Sequence, residues 1–113
     1  MRVRLIRKES IENYVLHNAS SRTAFRIWLM IVKEADWNLP RDIADTFGSS
    51  DLLGNGSNRV VFNIAGNKFR MICKYHFGFK VVHLFIKWIG THAEYSMLCK
   101  NQGQYLVDLF KIK

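Results

Sequence analysis

Proline occurs once in these 113 residues, cysteine twice and acidic side chains nine times. No apolar run approaches the roughly 18 residues that a membrane-spanning helix needs. The opening MRVRLIRKES also lacks the apolar stretch of a signal peptide, so the expectation is a soluble cytoplasmic chain. With so little proline, no internal repeat and no low-complexity stretch, nothing marks a linker, and one domain over residues 1–113 is expected. Cys73 and Cys99 have neither the number of a disulfide framework nor the spacing of paired metal ligands, which leaves reduced thiols. Cys73, His76 and His83 can be set out as a zinc trio, but no second pair of ligands supports it, and neither a metal nor a cofactor is expected.

The shortage of carboxylates is the most directive absence. Against nine Asp and Glu stand 17 Lys and Arg, a formal charge of +8, which on so small a surface favours a polyanionic partner. Nucleic acid and anionic membrane both qualify. Membrane is disfavoured because the cations fall on predicted strands and do not line one amphipathic helix.

RVRLI near the start alternates like a short half-buried strand, and Ser10 can cap a helix whose Ile11, Tyr14 and Val15 share a face and which ends near Asn18. From Ser21 to Ala35 the residues Ala24, Ile27, Trp28, Ile31, Val32 and Ala35 mark one face of a second helix. Phe25, Leu29 and Met30 lie off that stripe and imply a second covered face, on the first helix or on a partner protein. Pro40 suits the first turn of a short helix reaching Phe47, followed by a polar loop, GSSDLLGNGSN, anchored by Leu52 and Leu53.

Arg59–Ala65 and Lys68–Tyr75 read as strands around a two-residue Gly66-Asn67 turn, which pairs residues whose numbers sum to 133. Val60, Phe62 and Ile64 then face Cys73, Met71 and Phe69 on the apolar side, leaving Arg59, Asn63, Lys68, Arg70 and Lys74 on the other. Lys80–Gly90 is a third strand, with Val82, Leu84, Ile86 and Trp88 on the apolar side and Val81, His83, Phe85, Lys87 and Ile89 opposite. A tight turn at Gly78-Phe79 would set Arg70 across from Lys87 and Lys74 across from His83. Like charges facing each other cost a few tenths to about 1 kcal/mol, a cost that a bound phosphate backbone would offset. Asn63, His83 and Phe85 make the same face polar and aromatic as well as basic.

After that strand comes IGTHAEYS. Thr91 and Glu94 have capping-box spacing, so a helical turn is expected to begin at His92, with His92 and Tyr95 on one edge beside amides able to bind anions.

RVVFNIAGNKFRMICKY followed by FIKWIGTHAEYS resembles the HigB toxin family of type II toxin–antitoxin systems, relatives of the RelE-type messenger RNA interferases. VKEADWNLPRDIADTF and LLGNGSNRVVFNI belong to the same resemblance, which runs from about Arg2 to Tyr95 and leaves residues 97–113 as an extension outside it. The resemblance implies an α+β fold, RelE-like, with N-terminal helices packed on a curved, mainly antiparallel sheet. It implies a metal-independent endoribonuclease that cuts mRNA on the ribosome by attack of the 2′-hydroxyl, and a HigA-type helix-turn-helix antitoxin as partner. Carried over by position, Asn67, Lys68 and Arg70 belong to the turn and second strand, and Lys87, His92 and Tyr95 to the C-terminal motif. Lys87 often appears as arginine in similar sequences, and lysine lacks the bidentate fork.

On that basis the expected catalytic set is His92, Tyr95, Arg70 and Lys87. Arg70, Lys87 and Lys68 stabilise phosphoryl charge, His92 is the general acid or base, and Tyr95 either stacks on a base or assists proton transfer. Lys68, Asn67, Lys74, Arg59 and His83 are expected to bind RNA. A rival of another class stays open: a non-catalytic RNA-binding or topoisomerase-inhibiting toxin of the same fold. QYLVDLFKIK is compatible with a strand, a helix or a tail, its alternation and the end KIK favouring a strand.

Overall fold

The structure, a computed structural model, describes residues 1–110; the KIK end of the expected C-terminal strand lies outside the described residues. Strand β1 (Arg2–Ile6) turns through Arg7, in left-handed backbone at φ 78°, straight into helix α1 (Lys8–His17). Ser10 is therefore not the cap expected of it. It lies in the first turn, buried, its N–H donating to Arg7 O. A single 3-10 turn leads to α2 (Arg22–Glu34), and Leu39 leads into α3 (Pro40–Thr46). There proline takes the first helical position, where no amide partner is needed, and Asp42 accepts from the Asn38 and Leu39 amides.

Strands β2 (Asp51–Leu53), β3 (Arg59–Ile64), β4 (Phe69–Phe77) and β5 (Val81–Thr91) follow, then α4 (His92–Cys99) and a 3-10 turn at Gly103–Tyr105. β2 lies within the expected polar loop, because three residues paired at a sheet edge are too short to show a period. The sheet order is β1-β5-β4-β3-β2, with β1 parallel to β5 and the other pairs antiparallel. The fold is α+β, as expected.

Helices α1, α2 and α3 cover one face of the sheet. Ile11, Phe25, Trp28, Val32 and Ile43 meet Val60, Phe62, Met71, Val82, Leu84 and Ile86 in the main core. Each such large side chain, fully buried, contributes about 1.5–3 kcal/mol. The inward face of α2 differs from the expected stripe: Phe25 is 1% exposed, whereas Ile27 is 52% and Ile31 38% exposed. A helix apolar around most of its circumference does not announce which side goes inward; the sheet it meets decides.

The β3–β4 register has the predicted sum of 133, with Val60 opposite Cys73 and Asn63 opposite Arg70. The link is the four residues 65–68 instead of two, and in it both Ala65, at φ 56°, and Gly66, at φ 66°, take left-handed backbone, which glycine adopts at least cost. The β4–β5 register departs from expectation. His76 pairs with His83 and Cys73 with Ile86, but a β-bulge at Ile72/Cys73 shifts the remainder, so that Ile72 pairs with Trp88, Met71 with Ile89 and Arg70 with Gly90. Lys87 is the extra residue of the bulge. One inserted residue reverses side-chain parity beyond it, so Ile89 turns into the main core and Trp88 to the opposite face, the reverse of the expected placement.

Candidate functional site

The face opposite the main core carries the charges, but not as a continuous track. At its centre Val61, Ile72 and Trp88 form a second apolar cluster, roofed by Leu53, Tyr95, Leu98 and Val107. The bulge puts Trp88 there, and Tyr95 and Leu98 of α4 pack against it. The cluster separates a cationic corner around Arg70 from the cations nearer the other end.

At the corner, Arg70 is only 7% exposed. Its Nη1 donates to Phe69 O at 3.1 Å, and its Nη2 to Asn67 Oδ1 at 2.5 Å and to His92 Nδ1 at 2.9 Å. All three acceptors are neutral, and among the described residues no carboxylate forms an ion pair with this guanidinium. A buried charge costs several kcal/mol unless compensated, so the corner is electrostatically incomplete and suited to an anion. The shifted register brings the Trp88 ring over the backbone opposite Arg70. Gly90 opposite Arg70 has no side chain, and a Cβ built there would lie 2.4 Å from the Trp88 ring.

His92 is exposed at the first position of α4. The capping box is present: Thr91 N–H donates to Glu94 Oε1 and Glu94 N–H to Thr91 Oγ1. His92 N–H is also taken, by Lys68 O at 2.9 Å. Contrary to expectation, therefore, the helix end offers an anion little, and binding at this corner falls to side chains. Because guanidinium can only donate, Nδ1 of His92 accepts, and the neutral ring carries its proton on Nε2. Asn67 and Lys68, at the β3–β4 turn, stand exposed beside this pair.

The other expected site residues lie elsewhere. Tyr95 packs on Trp88 at 6.0 Å between ring centroids, and burial, with Cys99 and Asp51 adding to it, pushes its phenol above the usual range. Lys87 Nζ donates to Asp108 Oδ2 at 3.0 Å, both side chains being about four-fifths buried. Lys87 O also accepts from Leu109 N–H. Arg59 is buried and donates to Gln104 O and Val107 O, and burial lowers its pKa below the usual value. The segment from Gly103 to Phe110, which begins as a 3-10 turn and is otherwise irregular rather than the expected strand, thus lies across the sheet and engages two of the expected cations. Lys74, exposed, is flanked by Arg59 and Phe85, and His83 lies opposite His76 instead of Lys74. The paper zinc trio does not converge, since Cys73 faces the main core while His76 and His83 face away from it.

Two residues that shape the site escaped the sequence. Gly90 carried a usable signal, a glycine inside an apolar strand, which often marks a close backbone approach. Asp108 carried none, because its partner is 21 residues away.

A family model for the HigB toxin, described as the RelE-like toxic component of a toxin–antitoxin system, matches residues 21–98, from α2 to near the end of α4. No match to a curated protein was found. No helix among the described residues is long and apolar enough to cross a membrane.

Proposed function

Because the chain belongs to the HigB toxin family, RelE-like toxins that act opposite an antitoxin, we propose that it is an endoribonuclease that cuts messenger RNA in the cytoplasm, on the translating ribosome, and so inhibits translation. The observation that carries this reading is Arg70, a buried guanidinium with neutral partners only, in contact with an exposed histidine. A scissile phosphate supplies the missing negative charge. In the proposed step the ribose 2′-oxygen attacks phosphorus, the bond to the 5′-oxygen breaks, and a 2′,3′-cyclic phosphate and a 5′-hydroxyl result. The 2′-hydroxyl proton leaves to water. Arg70, with Lys68 and Asn67 at the turn, holds the phosphoryl oxygens as charge builds on them. A phosphate that takes over Arg70 Nη2 frees Nδ1 of His92 to bind a second proton from solvent, and the ring then passes its Nε2 proton to the departing 5′-oxygen. Tyr95 acts on this site by packing under α4. Lys87 has no role while Asp108 holds it. The neutralising partner is a helix-turn-helix antitoxin of the HigA type.

Single-turnover cleavage of ribosome-bound message tests the assignment. His92→Ala is expected to slow it by about 10²–10⁴-fold. Arg70→Lys, which keeps the charge and loses the fork, is expected to slow it by about 10²-fold. Unchanged rates in both variants would sink the site. Codon-phased cuts in cellular messages after induction support the nuclease, whereas intact message with stalled replication supports the topoisomerase-inhibiting rival.

A further inference from the structure

Beyond the apolar cluster, the same sheet face carries a second assembly of cations and rings that the cleavage step does not use. The strand registers align it in rows across β1, β5 and β4. Arg4 stands beside His83 and His83 beside His76; one row further, Ile6 stands beside Phe85, Phe85 beside Lys74, and Lys74 beside Arg59 of β3. Three rings run together, His76 to His83 at 6.2 Å and His83 to Phe85 at 6.1 Å between centroids, with Lys87 Nζ 5.6 Å from the Phe85 centroid. Arg4, Lys74 and His76 are exposed, and His83 and Phe85 are half-exposed. Phe79 at the β4–β5 tip is wholly exposed, beside Lys80. The carboxylate bonded to a cation of this assembly is Asp108, at its inner edge on Lys87.

We infer that this open sheet face, Arg4, Lys74, His76, His83 and Phe85, is a second binding site for single-stranded RNA, separate from the Arg70–His92 corner. Cations flanking a strip of rings on adjacent strands offer backbone contacts and stacking together, the combination by which sheets hold unpaired bases. Lys74 and Arg59 face each other across β4 and β3, and a phosphate backbone relieves repulsion between such neighbouring cations. Measured along β5, His83 is about 30 Å from His92 at about 3.3 Å per residue. The site therefore holds message several nucleotides away from the cut bond, and it adds affinity without touching the reacting atoms. The choice of RNA rests on the nuclease reading; the existence of the site does not.

The test is fluorescence anisotropy with a labelled 2′-O-methyl oligouridylate of twelve nucleotides, which cannot be cleaved, so binding is read independently of catalysis. His83→Ala and Phe85→Ala are each expected to weaken binding by about 5- to 100-fold, the range for loss of one stacking ring. Arg4→Gln and Lys74→Gln, at exposed positions that do not threaten folding, should each reduce the slope of log affinity against log salt by about 0.7. Arg26→Gln, on α2 across the molecule, removes the same charge and should leave the slope unchanged. Ring variants within two-fold of wild type, or an Arg26→Gln effect equal to that of Arg4→Gln, would overturn the site. So would variants that lose binding to phosphatidylserine vesicles while keeping full affinity for the oligonucleotide. Loss of cleavage in His92→Ala with this binding intact would separate the two sites.

Discussion

Removing the Asp108 carboxylate should loosen the C-terminal segment and leave an ammonium in a poor environment. Lys87 Nζ and Asp108 Oδ2 are 3.0 Å apart, with side chains 19% and 18% exposed. Exposed ion pairs are worth about 0.2–1 kcal/mol, and breaking a fully buried one costs about 3–5 kcal/mol. At four-fifths burial, with solvent screening taken into account, Asp108→Ala should cost about 2 kcal/mol. Near 113 residues that corresponds to a fall of about 8 °C in Tm. Arg59 adds to the loss, because Asp108 is the charge that favours its protonated form. The decisive assay is a double-mutant cycle in urea with Asp108→Ala, Lys87→Met and the pair. Since Lys87→Met removes the stranded charge, the double variant should recover at least about 1 kcal/mol relative to the sum of the singles. Amide exchange at Leu109, whose N–H donates to Lys87 O, should accelerate in Asp108→Ala. Costs that add within about 0.5 kcal/mol, with Leu109 exchange unchanged, would refute the claim that this pair ties the segment to the sheet.

Gly90→Ala places a methyl 2.4 Å from the Trp88 ring, directly across from Arg70, and should cost about 1–3 kcal/mol in urea unfolding; wild-type stability would mean that Trp88 moves aside freely. For the thiols, Cys73 is fully buried and burial pushes its pKa up, while Cys99 is half-buried. A disulfide-exchange reagent at pH 8 should therefore label Cys99 at least about a hundredfold faster than Cys73 in the native protein, and equal native rates would contradict the core placement of β4.

Where neighbouring residues suffice to set a structure, the residues announced it. The glycine-containing turn keeps the β3–β4 register at the expected sum although the strands stop at Ile64 and resume at Phe69, and Thr91 and Glu94 start α4 by satisfying each other's amides. The basic excess follows from composition, and the period of β3 separates Val60, Phe62 and Ile64, in the main core, from Arg59, Val61 and Asn63 on the opposite face. At the site, Arg70, Asn67 and His92 were each named from sequence, and the structure brings these three together.

The rest depended on contacts between distant residues. Nothing near Ile72 announces the bulge. It carries Trp88 to the opposite face, places Gly90 across from Arg70 and interrupts the expected cationic track. The inward face of α2 was likewise settled by the sheet it packs on. Lys87 and Arg59 read as free cations until the segment after Gly103 folded back over them, because an ion pair across 21 residues leaves no local pattern. Composition and short-range spacing thus determined most of the elements and the hairpin register. Only the tertiary fold decided which cations face solvent, since burial is a property of what covers a residue and not of the residue itself.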